Sequence, residues 1–190
     1  MTLNMILTDK QILHLCKEEK LIEPFLKEQE KIFNISSGPT PHGYDVRVGN
    51  KYSRLIGFKY IKQGSKEPTM HDYEGGLIGK EGLTVHPNEC LLIETLEDFN
   101  FPDNITAVIM NKSTWTKLFL FGPNTVVDGG FKGKLTLAFR NTGPWPICLE
   151  KGMGIAHLLF HLSDGEVGKS YDGKYQGEKS LTTAKIGKEK

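Results

Sequence analysis

Short alternations of hydrophobic and polar residues run through most of the chain and predict a protein built mainly of β-strands. In the stretch Tyr-Asp-Val-Arg-Val at 44–48, apolar side chains occupy one face of a strand, and Asp45 and Arg47 occupy the other. We expect these two charged residues to form a pair on the exposed face.

Further strand-like apolar runs follow along the chain, separated by clusters of glycine, proline, asparagine and aspartate. These runs cover residues 54–60, 83–85, 90–95, 107–110, 117–121, 135–139, 147–149 and 155–162. Many short strands without intervening helices are typical of a sandwich, jelly roll or barrel rather than of a parallel α/β sheet.

One segment near the N-terminus has a helical pattern instead. Thr8 and Gln11 have the spacing of a capping box, in which each side chain satisfies a backbone N–H at the start of a helix. A loosely amphipathic run follows and ends before Pro24. We therefore predict an N-terminal helical segment within residues 1–35.

The rest of the chain shows no repeat and no second hydrophobic core, so we expect one domain over residues 1–190. Residues 62–82 are glycine-rich and polar, and we predict a long excursion from the sheet there. Residues 163–190 form a tail rich in glycine and lysine, but with tyrosines at 171 and 175. Because disordered tails are poor in aromatic residues, part of this tail is expected to become ordered on binding a ligand.

Charge and composition exclude several classes of protein. Lys and Arg number 24 against 23 Asp and Glu, giving a net charge of +1, which argues against a large nucleic-acid or membrane footprint. No apolar run approaches the roughly 18 residues of a membrane span, and no signal-peptide pattern is present. The three cysteines include no C-x-x-C pair and are expected to be small buried residues of a cytoplasmic protein.

Several catalytic motifs are missing from the sequence. No histidine begins an H-x-E motif that could precede a P-C-x-x-C motif, so a zinc deaminase is excluded. The P-loop, the G-x-S-x-G elbow and the helix-opening G-x-G-x-x-G are absent as well.

Three clusters carry residue types suited to binding a phosphorylated ligand. Residues 111–117 combine two cations with three hydroxyls, which could hold a polyphosphate or form a solvated turn. Residues 125–134 place Asp128 before a glycine pair, either to bring backbone close to a ligand or to form a hairpin turn. Residues 174–179 could close over a ligand or remain a solvated tail.

Taken in order, these segments resemble the dCTP deaminase/dUTPase superfamily, and within it the archaeal dCTP-deaminase-like branch. The resemblance rests on residues 5–9, 43–49, 112–117, 127–137, 152–157, 170–171 and 174–177. It implies a distorted β jelly roll assembled as a homotrimer in the dUTPase-like manner, with nucleotide sites between subunits. It also implies a pyrimidine deoxyribonucleoside triphosphate as substrate, Mg²⁺ as cofactor, and a C-terminal tail that closes over the site.

The resemblance also implies a role for individual residues. Asp128 is the catalytic carboxylate, which contacts the deoxyribose and manages a water molecule, while the backbone of 124–128 reads the pyrimidine and Phe131 packs near the sugar. Lys112 and its neighbours hold phosphates, and the tail supplies closing contacts. The implied nucleotide-binding set is Lys112, Ser113, Thr114, Lys117, Asn124, Asp128, Phe131, Thr136, Ala138, His157, Tyr171, Lys174 and Glu178.

The sequence departs from the family pattern at the position that matters most for deamination. Family deaminases carry a glutamate where this chain has Ala138, and a methyl group cannot move protons between water and departing ammonia. We therefore expect a dUTP diphosphatase, which converts dUTP and water to dUMP and pyrophosphate with Asp128 directing the water. At 178 a glutamate replaces the usual glutamine, and its charge would need Mg²⁺ or Lys179 to offset it.

Two alternatives stay open. The first is a dCTP deaminase, either bifunctional or with Ala138 as an inactivating substitution. The second is a non-catalytic relative that binds nucleotides.

Overall fold

Fourteen β-strands and two short helices make up the part of the chain that the computed structural model describes, namely residues 5–57, 73–122, 125–165 and 167–185. The helices are α1 (Asp9–Glu18) and α2 (Ser113–Lys117). The strands are β1 (Met5–Ile6), β2 (Ile22–Glu23), β3 (Glu30–Ile32), β4 (Ile35–Thr40), β5 (Gly43–Leu55), β6 (Tyr73–Leu77), β7 (Leu83–Val85), β8 (Cys90–Asn100), β9 (Ile105–Asn111), β10 (Leu120–Phe121), β11 (Thr125–Val127), β12 (Lys132–Asn141), β13 (Ile147–Leu149) and β14 (Gly154–Leu162).

Twelve of these strands join one curled antiparallel sheet, in which the long strand β5 connects two halves. The main order is β10-β12-β8-β5-β14-β9-β11, and β7 and β13 form a separate pair. The first part of β5 pairs with β14, and its second part pairs with β8. Because one strand serves both halves, the sheet closes around a single apolar core that includes Tyr44, Ile93 and Phe160. The prediction of a mainly β fold is confirmed.

The N-terminal helix forms where the capping pattern predicts it. The backbone N–H of Thr8 donates to the Gln11 side chain over 2.9 Å, and Ile12 is fully buried against the sheet. The helix ends at Glu18, however, and the remainder of the segment up to residue 35 forms the short strands β2 and β3 and the start of β4. No helix among the described residues is long and apolar enough to cross a membrane.

Several local predictions are wrong. Residues 73–77 do not leave the sheet but pair with β5 as β6, while residues 58–72 lie outside the described residues. The run 117–121 is not one strand, because it holds the end of α2 and the two-residue β10. The cysteines are not all buried as expected, because Cys148 is exposed. Cys16 is half-buried, and burial raises the pKa of its thiol to about 12.

The expected exposed pair of Asp45 and Arg47 is also wrong, since both faces of β5 are covered over residues 43–49. Arg47 is buried and donates from Nε to Glu97 Oε1 over 2.6 Å and from a terminal nitrogen to the Pro24 carbonyl over 2.7 Å. Burial raises the pKa of the Glu97 carboxyl, although the Arg47 hydrogen bonds and charge oppose the rise. Asp45 belongs to a second buried cluster, which is described with the candidate site.

Candidate functional site

The largest group of predicted site residues meets in one cavity of about 380 Å³ between β11, β12 and the C-terminal tail. The side chains predicted from the sequence that line this cavity are Asp128, Phe131, Thr136, Tyr171 and Glu178. Ala138 lines a smaller adjoining cavity of about 110 Å³, which shares Ile109, Thr125 and Thr136 with the first. Asn124 lies outside the described residues.

Asp128 follows β11 at the edge of the cavity and is exposed. The chain turns directly after it, where the Phe131 N–H donates to the Asp128 carbonyl over 3.2 Å. The glycine pair is needed here, because a Cβ on Gly129 would lie 2.1 Å from the Asp103 carbonyl oxygen and Gly130 has a φ of +84°. The turn is not a hairpin, since β11 pairs with β9 whereas β12 pairs with β8.

The tail runs along the start of β12 and is ordered by contacts with its own chain. The N–H groups of Gly177 and Lys134 donate across the gap, to Lys132 O over 2.8 Å and to Glu178 O over 2.7 Å. The Gln176 side chain accepts from the Lys132 N–H over 2.7 Å and donates to the Gly130 carbonyl over 2.8 Å. Gln176 lies within the motif at 174–177, but the sequence pattern predicts no role for it.

The far end of the tail folds back on itself in an arrangement that we call the tail clasp, formed by Lys174, Tyr175, Glu178 and Lys185. The Lys185 ammonium ion-pairs with the Glu178 carboxylate, and its backbone N–H donates to the Tyr175 hydroxyl over 3.2 Å. The ammonium groups of Lys174 and Lys185 lie 5.3 and 5.6 Å from the centre of the Tyr175 ring. Lys185 therefore offsets the Glu178 charge, whereas the sequence predicted Mg²⁺ or Lys179 in this role.

The predicted residues Lys112 and His157 lie elsewhere, in what we call the Asp45 cluster (Ser36, Asp45, Lys112 and His157). Asp45 and Lys112 are buried, and Ser36 and His157 are half-buried. The Lys112 ammonium ion-pairs with Asp45, and His157 Nδ1 lies 2.9 Å from Asp45 Oδ1. Burial alone would raise the pKa of the Asp45 carboxyl, but the hydrogen bonds and charges of His157 and Lys112 hold it below its usual value. Lys112 and His157 are thus already engaged by a carboxylate within the chain.

The remaining predicted phosphate ligands lie on α2. Ser113, Thr114 and Lys117 are exposed, and the helix is anchored by Trp115, whose indole N–H donates to the Gly154 carbonyl over 2.8 Å. Neither these three residues nor Lys112 line the cavity of about 380 Å³. Within one chain, the predicted phosphate group and the predicted base and sugar group are therefore separate.

Comparison with known proteins places these features in a family. The family described as dCTP deaminase-like matches residues 6–163. The chain belongs to this family.

Several relatives are similar to this dCTP deaminase-like chain over nearly the whole length of both chains. Campylobacter concisus dCTP deaminase is 32% identical over 185 residues, which cover 94% of this chain and 97% of the relative. Pelagibacter ubique dCTP deaminase is 30% identical over 186 residues, which cover 95% and 99%. A crystal structure of the Agrobacterium tumefaciens enzyme matches with a TM-score of 0.63 at 16% identity, covering 84% of this chain and 48% of that one, about half its length.

These findings confirm the superfamily, the jelly-roll fold class and the expectation of an enzyme. They overturn the expected dUTP diphosphatase, because the full-length relatives at about 30% identity are dCTP deaminases. The diphosphatase hypothesis gave one position, Ala138, more weight than the similarity of the whole chain. The archaeal branch stays a prediction.

Proposed function

We propose that this protein deaminates dCTP, converting dCTP and water to dUTP and ammonia. The observation that carries the proposal is the similarity to dCTP deaminases over 94% of the chain. In this reaction water adds to C4 of the cytosine, one of its protons passes to the exocyclic amino group, and ammonia leaves. The cavity between β11, β12 and the tail supports the proposal, because its volume suits a small-molecule ligand such as a nucleotide. Its lining combines apolar side chains with the carboxylates of Asp128 and Glu178.

The proton transfers need a carboxylate, and Ala138 cannot supply one. Asp128 and Glu178 are the carboxylates among the described residues that line the cavity of about 380 Å³. Glu178 is held in an ion pair with Lys185, whereas no such pair is present for Asp128 among the described residues. We therefore assign the proton transfers to Asp128, the residue for which the resemblance implies the handling of a water molecule.

The separation of Asp128 from Ser113, Thr114 and Lys117 supports a site shared between copies of the chain. In the homotrimer that we propose, α2 of one subunit supplies phosphate contacts, and β11, β12 and the tail of another supply contacts to the base and sugar. No group of three or more metal-binding side chains occurs in the described ranges. Mg²⁺ would accordingly be held mainly by the triphosphate oxygens, where it neutralises their charge.

The proposal is tested by incubating the purified protein with dCTP and Mg²⁺ while measuring ammonia with a coupled enzyme and dUTP by anion-exchange chromatography. We expect equal amounts of both products. Asp128→Asn should lower kcat by about 10²- to 10⁴-fold, the usual contribution of a general acid–base group. Glu18→Gln, an exposed change on α1, is the control and should leave the rate unchanged.

Two results would contradict this assignment. A protein that binds dCTP but releases no ammonia would refute the proposed reaction. An Asp128→Asn variant with full activity would leave the reaction in place and refute the role of Asp128.

A further inference from the structure

A buried glutamate of β8 connects the sheet to the tail. Glu94 is 3% exposed and lies directly opposite Thr136 in the β8–β12 register. Leu92, two residues earlier on the same face of β8, lines the cavity of about 380 Å³ together with Thr136. Glu94 is packed closely, since a Cβ on Gly49 would lie 2.7 Å from its Cγ.

One carboxylate oxygen of Glu94 accepts hydrogen bonds from a bulge in β5. The β5–β8 register shifts between Val48 and Tyr52. As a result, the three β5 residues at 49–51 lie opposite a single residue of β8, Glu94. The N–H groups of Asn50 and Lys51, which lie in this bulge, donate to Glu94 Oε1 over 3.3 and 3.2 Å. The bulge therefore fixes the carboxylate in place.

The other oxygen holds the tail. The Ser180 hydroxyl and the Leu181 N–H donate to Glu94 Oε2 over 3.0 and 2.9 Å. The Lys51 ammonium donates to the same Ser180 hydroxyl over 2.9 Å. Hydrogen bonds to an ionised carboxylate are about twice as strong as neutral ones, so this is a strong point of attachment.

The residues that follow this attachment form part of the cavity. The Thr182 N–H donates to the Thr136 hydroxyl over 3.1 Å, and Thr182, Thr183 and Ala184 line the cavity opposite β11 and β12. The resemblance implied roles for Tyr171, Lys174 and Glu178 in the tail but none for residues 180–184. Their position makes them a wall of the same cavity.

We propose that Glu94 is a positioning residue that fixes residues 180–184 as a wall of the nucleotide cavity. The inference rests on the proposed function in taking a pyrimidine nucleotide as the occupant. Glu94 acts through the tail and does not touch the reacting atoms. Its loss should therefore weaken nucleotide binding while leaving the chemical step unchanged.

The test uses Glu94→Gln in the full chain. A glutamine has one acceptor oxygen and one NH₂ group, so it can serve either the bulge amides or the tail donors but not both. We expect the Kd for dCTP, measured by calorimetry, and the KM to rise about 10- to 100-fold, with kcat unchanged. Hydrogen exchange at 181 and 182 should increase, whereas exchange at the core strand β14 should not.

Two variants on the tail side keep the test valid if Glu94→Gln fails to fold. Leu181→Pro removes the N–H donor and should weaken dCTP binding in the same way, while Ser180→Ala removes one donor and should have a smaller effect. Glu18→Gln is the matched control for the loss of one negative charge.

The possible outcomes separate this inference from the proposed function. Faster exchange at 181 and 182 with an unchanged Kd would overturn the inference, because the segment would then not be a wall of the site. A fall in kcat at constant KM would overturn it too. If the wild-type protein binds dCTP without releasing ammonia, the proposed reaction fails, but the Kd comparison still decides the role of Glu94.

Discussion

The Asp45 cluster and the tail clasp use the same kinds of charged side chain in opposite ways. In the Asp45 cluster the side chains of Lys112 and Asp45 are 9% and 6% exposed, and a histidine and a serine complete the hydrogen bonding. In the tail clasp Lys185 and Glu178 are 40% and 22% exposed. A buried charge that loses its partner is strongly destabilising, whereas an exposed pair exchanges partners at little cost. The first cluster is therefore suited to fixing the fold, whereas the second contributes little to its stability and mainly neutralises the charge of Glu178.

Asp128 belongs to neither cluster, and its carboxylate has no ion pair among the described residues. The difference between buried and open charges is tested most strongly by adding a second carboxylate beside the cavity. Ala138→Glu places one on the half-buried face of β12 next to a cavity of about 110 Å³, so the side chain has room. We expect kcat for ammonia release from dCTP to rise about 10²- to 10⁴-fold, as measured by the coupled assay.

Ala138→Gln is the matched control, because glutamine has the size of glutamate but cannot transfer protons. It should leave kcat near the wild-type value. Equal rates in the Glu and Gln variants would show that the reacting carbon lies away from position 138.

The next largest effect concerns the Asp45 cluster. Asp45→Asn leaves the buried Lys112 ammonium without its counter-ion, and we expect the free energy of unfolding to fall by about 3–5 kcal/mol. Urea unfolding followed by circular dichroism measures it. Glu23→Gln breaks the exposed Lys20–Glu23 pair, whose side chains are 72% and 62% exposed, and should have little effect. Similar losses in both variants would contradict the distinction between the two kinds of pair.

The sequence predicts the local elements of the structure better than it predicts the contacts of the charged side chains. Local rules predicted the helix at Thr8, most of the strands and the turn after Asp128, because capping, alternation and glycine pairs act within a few residues. Side-chain burial was wrong for Asp45 and Arg47, since alternation along one strand cannot show that both faces of β5 become covered. The roles of Lys185 and Glu94 were not predicted, because the fold brings their partners to them. Lys185 pairs with Glu178 across 7 residues of sequence, and Glu94 accepts from Ser180 across 86.

The Asp45 cluster should also show itself in the pH dependence of stability. The pKa of Asp45 is below its usual value, so its ionised form stabilises the folded state at pH values above about 4, the ordinary pKa of aspartate. That contribution is lost as the pH falls through the lowered pKa. The difference in unfolding free energy between wild type and Asp45→Asn should therefore be present at neutral pH and shrink below about pH 4. A difference that stays constant down to pH 2 would contradict the lowered pKa.

The smallest effect is expected in the tail clasp. Lys185→Ala removes the partner of Glu178, which leaves a negative charge facing the cavity in which we place a triphosphate nucleotide. Because the pair is partly exposed, it is worth no more than about 1 kcal/mol, so the Kd for dCTP should rise about two- to fivefold and the melting temperature should hardly change. Calorimetry at two salt concentrations provides the measurement, and the effect should be smaller at high salt because the charge is screened.

The double variant Lys185→Ala/Glu178→Gln should recover the wild-type Kd, since it removes the unpaired charge while keeping a side chain of the same size. A double variant as weak as Lys185→Ala alone would instead mean that the Lys185 ammonium contacts the nucleotide directly, in which case the tail clasp would be a binding surface rather than a charge-neutralising pair.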